Sequence, residues 1–257
     1  MRGETEGLKD LFKDKKKEAF KEKAQEVAKG KLAPGKAEEL ARVAQEHGMD
    51  VADDKTKLRR SIYNKAAAAA KGRGKLTADE ASELAKIQKF LALRDDQVEK
   101  TKFDLTRLRT VTDIRHGKLP RIDPTHPSVR GMQFLPNEIA HYQVPVGVED
   151  RASASGKLGQ QVRWATAYVI NSARAHTLPS GEGTKELGEG TLILTNKRLF
   201  LRANKTAAVE YSPQTNIFLY GDGIRLERTV GNTILRFKTQ SDETAEIVGE
   251  LLAAVFR

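Results

Sequence analysis

Apolar residues change their spacing partway along this chain, and that change restricts the fold more than any other feature. Over the first 117 residues they recur at helical spacing; from about Phe134 they alternate, with turn residues at short intervals. A chain of 257 residues with one such switch is expected to fold as α+β in two domains, helical first and β-rich second. The expected boundaries are 1–118 for a basic helical domain, 119–132 for a proline-containing linker and 133–257 for a β domain with a terminal helix.

In the helical part, Gly30, Gly48, Gly74 and Gly117 sit where helix C-caps would fall. Leu8, Leu11, Phe12, Ala19 and Phe20 give the first helix a thin apolar stripe. Thr77 with Glu80 three residues later predicts a capping box. An internal repeat at an offset of about 44 residues is visible. One copy holds Gly30-Lys31-Leu32, Glu38-Glu39-Leu40-Ala41 and Asp53-Asp54; the next holds Gly74-Lys75-Leu76, Ser82-Glu83-Leu84-Ala85 and Asp95-Asp96. Each copy reads as a helix–loop–helix pair, and two such pairs need each other to bury their stripes. A third Gly117-Lys118-Leu119 leads into Pro120, Pro124 and Pro127, where the helical pattern stops.

Beyond Phe134, Thr191–Thr195, Asn196-Lys197 and Arg198–Arg202 read as a tight hairpin, with Asn196 supplying a positive φ. Ile217–Tyr220 and Ile224–Arg228 flank Gly221-Asp222-Gly223 as a second, and Gly231-Asn232 turns the chain into Thr233–Lys238. His141–Val146 and Val162–Val169 are further strand candidates. The end is amphipathic and helical, with Ser241 as N-cap and Val248, Leu251, Leu252 and Val255 on one face. A meander of about seven strands plugged by that helix is the compact solution.

The run Gly190-Thr-Leu-Ile-Leu-Thr-Asn-Lys-Arg-Leu-Phe200, followed by Ile217-Phe-Leu-Tyr-Gly-Asp-Gly-Ile224 and a terminal helix, resembles the pleckstrin-homology superfamily, in particular its GRAM-like and bacterial versions. Leu135-Pro-Asn-Glu138 looks like the entry to that domain's first strand. Upstream, the repeated Gly-Lys-Leu and Glu-Leu-Ala pattern is similar to tellurite-resistance TerB-like helical domains and, more loosely, to EF-hand-like pairs. The resemblance implies a non-catalytic binding role toward lipid head groups, membrane surfaces or protein partners. Phosphoinositide-binding members use basic residues between their first two strands; here that region, Val148–Lys157, holds two bases and two acids.

The net charge is +10, of which about +8 falls in residues 1–120 and about +2 in the rest. An anionic surface is one reading of that excess and simple solubility the other. There is no cysteine, which removes disulfides, thiolate metal sites and a Cys nucleophile and favours a cytoplasmic location. The N-terminus has no apolar h-region before its charge run, and no stretch is apolar enough to span a bilayer.

Gly72-Arg-Gly-Lys75-Leu76 lacks the hydroxyl residue of a phosphate loop, and Gly181–Glu186 lacks the third glycine of a dinucleotide fingerprint. Asp50–Lys55 places alanine and lysine where a calcium loop needs a ligand and a glycine. The five histidines have no paired ligand spacing, and Ser153 and Ser155 lie outside any nucleophile-elbow pattern. No catalytic residue, metal site or cofactor is expected.

Candidate partner- or lipid-binding residues in the β domain are Arg151, Lys157, Arg163, Trp164, Lys197, Arg202 and Lys205. Candidate anionic-surface contacts in the helical domain are Lys15, Lys16, Lys17, Arg59, Arg60, Lys71 and Arg73. The expected function is that of an adaptor engaging a protein partner or an anionic phospholipid surface, cytoplasmic and peripheral at the inner membrane face. Nucleic-acid binding through the basic helices, with Arg107 and Arg109 as added phosphate contacts, is the alternative.

Overall fold

The computed structural model describes residues 3–53, 55–151, 160–161, 176–178, 184–203, 206–211, 216–227, 232–238 and 241–255. The chain divides into two compact units, Met1–Thr112 and Asp113–Arg257.

The first unit is helical. Its helices are α1 (Gly3–Lys29), α2 (Lys36–Glu46), α3 (Thr56–Arg73), α4 (Ala78–Phe90) and α5 (Asp95–Arg115), the last three residues of α5 belonging to the second unit. The segments read as repeats run over α2 and the start of α3, and over α4 and the start of α5. Leu40, Ile62, Tyr63, Leu84, Ile87, Leu91 and Leu108 form the core. On α1 the buried row is Phe20, Ala24 and Ala28 at i, i+4 and i+8. Ala19, expected in the stripe, is exposed, and the side chains of Leu8, Leu11 and Phe12 lie outside the described residues. The alanine run of α3 is more than helix propensity: Ala66, Ala67 and Ala70 are at most 1% exposed, small side chains that let neighbouring helices approach closely.

Polar side chains fix the helix ends. Thr77 and Glu80 form the expected capping box, and Arg73 adds an ion pair to Glu80 at 2.6 Å. Buried Glu83 of α4 accepts the Ala37 N–H at the start of α2 at 2.7 Å, tying α4 to α2. Burial pushes the Glu83 carboxyl up, but the Ala37 N–H and Lys86 outweigh it and hold it below the usual carboxylate range. Gly48 and Gly74 end their helices at φ of 61° and 62°, whereas Gly30 ends α1 without a positive φ.

The second unit is a curled antiparallel sheet with a terminal helix. Its strands are β1 (Ala140–Arg151), β2 (Gln160–Gln161), β3 (Thr184–Thr195), β4 (Arg198–Arg202), β5 (Thr206–Glu210), β6 (Asn216–Tyr220), β7 (Gly223–Glu227) and β8 (Asn232–Phe237), followed by α6 (Ser241–Val255). The order across the sheet is β2-β6-β7-β8-β1-β3-β4-β5. The long β1 makes the curl possible. It pairs with β3 along its whole length and, from Val146 onward, with β8 on its other side. Residues 162–169, expected as a strand, lie outside the described residues.

The expected alternation fails at Leu192, Ile193 and Leu194, which are all 1% exposed or less. Both faces of the sheet are covered there, and a strand buried on both faces reads as a continuous apolar run. α6 packs against β1, β3 and β6, burying Val248, Leu251 and Leu252. The opposite face, with Ile193 and Phe200, packs against Val129, Met132 and Phe134. The connecting stretch 119–132 thus belongs to the second unit. It is anchored by the Ile122 N–H on the Ala140 carbonyl at 2.8 Å and by His141 Nδ1 on the Pro120 carbonyl at 2.6 Å. Elsewhere on the sheet Leu178, Tyr220 and Ile234 form a smaller cluster with Phe218.

The β3–β4 turn works by side chains. Asn196 has no positive φ; the left-handed residue is Asn137, at φ 58°. The Thr195 hydroxyl accepts the Lys197 and Arg198 N–H groups, each at 3.0 Å, and closes the turn locally.

Candidate anionic-partner site

The first unit carries a basic cleft between α1 and the start of α3. On α1, Lys17, Lys21 and Gln25 run at i and i+4 beside the buried Phe20–Ala24–Ala28 row. On α3, Lys57, Ser61 and Lys65 run in the same way beside buried Ile62, Ala66 and Ala70. Burying the two apolar rows therefore brings two rows of lysines to one rim. A cleft of about 630 Å³ is lined by Lys17, Lys21, Lys55 and Lys57 with Glu18. A second, of about 710 Å³, shares Lys57 and Ser61 and adds Arg60 and Lys65. Among the described residues, six cations and one carboxylate line the two clefts, an excess of positive charge. Lys65 donates to Gln25 Oε1, and Gln25 Nε2 donates to Ser61 Oγ at 3.4 Å, which fixes part of the wall.

The other basic candidates of this unit have different surroundings. Lys15 and Lys16 stand exposed on α1. Arg59 turns inward and donates to the Leu91 and Ala92 carbonyls at 3.1 and 2.9 Å, capping the end of α4. Lys71 pairs with Asp104, and Arg73 with Glu80 and the Ala69 carbonyl. Arg60 joins the cleft while its sequence neighbour Arg59 does not, because adjacent residues on a helix point about 100° apart. Lys21, Lys55, Lys57 and Lys65 were not among the expected contacts. For Lys21, Lys57 and Lys65 the signal available was a spacing of four or eight beside an apolar row; Lys55, at the start of α3, carried none.

In the second unit residues 135–139 fold onto the β3–β4 turn. Glu138, whose side chain is fully buried, takes Arg198 at 3.0 Å and the Thr195 hydroxyl at 2.7 Å. Asn196 Oδ1 accepts the Ile139 N–H at 2.8 Å, and its Nδ2 donates to the Asn137 carbonyl at 3.0 Å. Lys197 Nζ donates to the Pro136 carbonyl at 2.6 Å. Arg198 also stacks on Phe200, 4.4 Å from the ring centroid. Burial pushes the Glu138 carboxyl up, but Arg198, the Leu135 N–H and Thr195 together hold it below the usual range.

Arg202 donates to the Pro127 and Ser128 carbonyls, both at 3.0 Å, and pins the connecting stretch. Lys197 and Arg202 therefore act on the protein's own carbonyls. Arg151 ends β1, its side chain outside the described residues, as are Lys157, Arg163, Trp164 and Lys205 entirely.

Among the described residues no group of three or more His, Asp or Glu side chains is placed to hold a metal ion, and no helix is long and apolar enough to cross a membrane. No protein-family model and no curated protein matches this chain.

Proposed function

We propose that this protein is a non-catalytic binding protein that docks on an anionic phospholipid surface through the lysine cleft of its helical unit, with the sheet unit serving as a pleckstrin-homology-like recognition module. The observation that carries the reading is the excess, among the described residues, of six cations over one carboxylate in the linings of the α1–α3 cleft. Lysine ammonium groups act as point charges and need no fixed partner geometry, which suits a fluid array of head groups. The curled sheet and its terminal helix are compatible with the superfamily resemblance, and Lys197 and Arg202 then have scaffold roles in that module rather than head-group contacts.

Each cleft lysine brought near an anionic leaflet is expected to contribute about 1 kcal/mol, so replacing Lys21 and Lys57 by glutamate should weaken binding by well over ten-fold. Co-sedimentation with phosphatidylserine vesicles at low and high salt tests this. Salt-sensitive binding lost in Lys21→Glu/Lys57→Glu supports it; binding unaffected by the double variant discards it. A gel shift on RNA and duplex DNA runs beside it, and a shift in the absence of vesicle binding would transfer the same cleft to nucleic acid.

A further inference from the structure

The helical unit holds an apolar groove apart from the lysine cleft. α4 packs closely on α2 and α3 but not on α5. Between α4 and α5 a groove of about 260 Å³ remains. Its walls are low in the middle, because α4 presents Ala81 and Ala85 there and α5 presents Thr106 and Thr110, each pair at i and i+4. Both threonine hydroxyls donate to their own helix, to the Lys102 and Thr106 carbonyls at 2.9 and 3.0 Å, so the walls add little polarity. The floor is Leu76, Leu84, Leu105 and Tyr63, each at most 6% exposed. The Tyr63 hydroxyl makes no hydrogen bond to a described residue. Burial, aided by the Asp95 carboxylate, pushes its pKa up to about 12, so at neutral pH it remains a hydrogen-bond donor.

The charges lining the groove are of one sign. Lys102 and Arg109 stand on its α5 rim, about two turns apart, and no carboxylate lines it among the described residues. Lys102 Nζ donates to Asp95 Oδ1 at 2.7 Å, and the same oxygen accepts from Gln88 at 2.8 Å. A lysine ammonium carries further N–H groups beyond the one given to Asp95, and these can take a second acceptor. An apolar floor below a basic rim fits an amphipathic anion. A volume just under the roughly 300 Å³ at which small-molecule pockets begin limits the apolar part to one ring or a short chain.

The geometry points to a binding site for a small carboxylic acid, its apolar body on the Leu84–Leu105 floor and its carboxylate on the Lys102–Arg109 rim. The site uses none of the residues of the lysine cleft and does not depend on that cleft's role.

The test is a methyl NMR titration of the full chain, carbon-13-labelled at leucine, with sodium octanoate below its micelle concentration and sodium chloride holding the ionic strength constant. The Leu84 and Leu105 methyl signals, assigned by their loss in Leu84→Met and Leu105→Met, are expected to move saturably. Ala85 is exposed, so Ala85→Phe fills the groove without disturbing the core and should abolish the movement. If that variant fails to fold, Thr106→Phe fills the groove from the other wall. Arg109→Gln should weaken binding about five-fold, the scale of one exposed ion pair. Lys21→Glu/Lys57→Glu should leave the titration unchanged, which separates it from the vesicle experiment. Methyl signals that stay still, binding that survives the filled groove, or octanol binding as tightly as octanoate overturns the proposal. The first readout uses the unaltered protein, so it stands whichever variants fold.

Discussion

The basic side chains of the helical unit's cleft and those of the β3–β4 hairpin are used in opposite ways. In the helical unit Lys21, Lys55, Lys57 and Arg60 are exposed along one cleft. In the sheet unit Arg198 meets a buried carboxylate, and Lys197 and Arg202 meet backbone carbonyls. The difference follows from the geometry of each element. A helix presents residues at i and i+4 side by side on its solvent face, so lysines there gather into a row. The irregular stretch 127–136 leaves carbonyls without ladder partners, and long basic side chains of the β3–β4 hairpin reach out to satisfy them. The same residue types are thus exposed along the cleft and part of the scaffold at the hairpin, as Arg59, Lys71 and Arg73 are within the helical unit.

The contrast is sharpest at Arg198. Arg198→Ala would strand Glu138, whose side chain is fully buried, and should lower stability by about 3–5 kcal/mol in urea unfolding. A loss below about 1 kcal/mol would mean that the Glu138 network holds little together. The pH dependence follows from the direction of the Glu138 shift. Its folded pKa lies below the unfolded one, so its stabilisation is present above the ordinary carboxylate range and declines as pH falls through the folded value. Acid titration of stability should show that decline in the native protein and a shallower one in Arg198→Ala.

Next in size is Gly223→Ala. A Cβ there would lie 2.3 Å from the Leu235 carbonyl oxygen and 2.4 Å from Leu178, an overpacking expected to lower Tm by an amount corresponding to about 1–3 kcal/mol. An unchanged Tm would remove the close approach of Leu178 to the β7–β8 pair.

In the helical unit, Thr77→Ala removes one half of the capping box and should cost about 1 kcal/mol, read by thermal unfolding followed at 222 nm. The smallest expected effect is in the cleft. Lys21→Glu/Lys57→Glu should change stability by no more than about 0.5 kcal/mol per site while abolishing vesicle binding. A large destabilisation would place these lysines in the scaffold and erase the contrast between the units.

Parts of this arrangement were legible from local pattern. The Thr77–Glu80 cap, the Thr191–Arg202 hairpin and the apolar face of α6 each depend on residues a few positions apart, and each has a spacing with one geometric solution. The candidate site was legible only in outline. The excess positive charge pointed to the helical half, but the division between Arg59, which caps α4, and Arg60, which lines the cleft, depends on where another helix ends. The burial of Ile193 beside Leu192 and Leu194 was not legible, because nothing nearby in sequence indicates that Val129 and Phe134 cover it.

By itself the sequence determined the two-part division, the helix and strand periods, the turn positions and the sign of the charge, all properties of neighbouring residues along one chain. The tertiary structure alone decided which basic groups face solvent and that the stretch 119–132 closes one face of the sheet. Those outcomes rest on packing between residues tens of positions apart, and burial, which sets the cost of leaving a charge unpaired, does not exist until that packing forms.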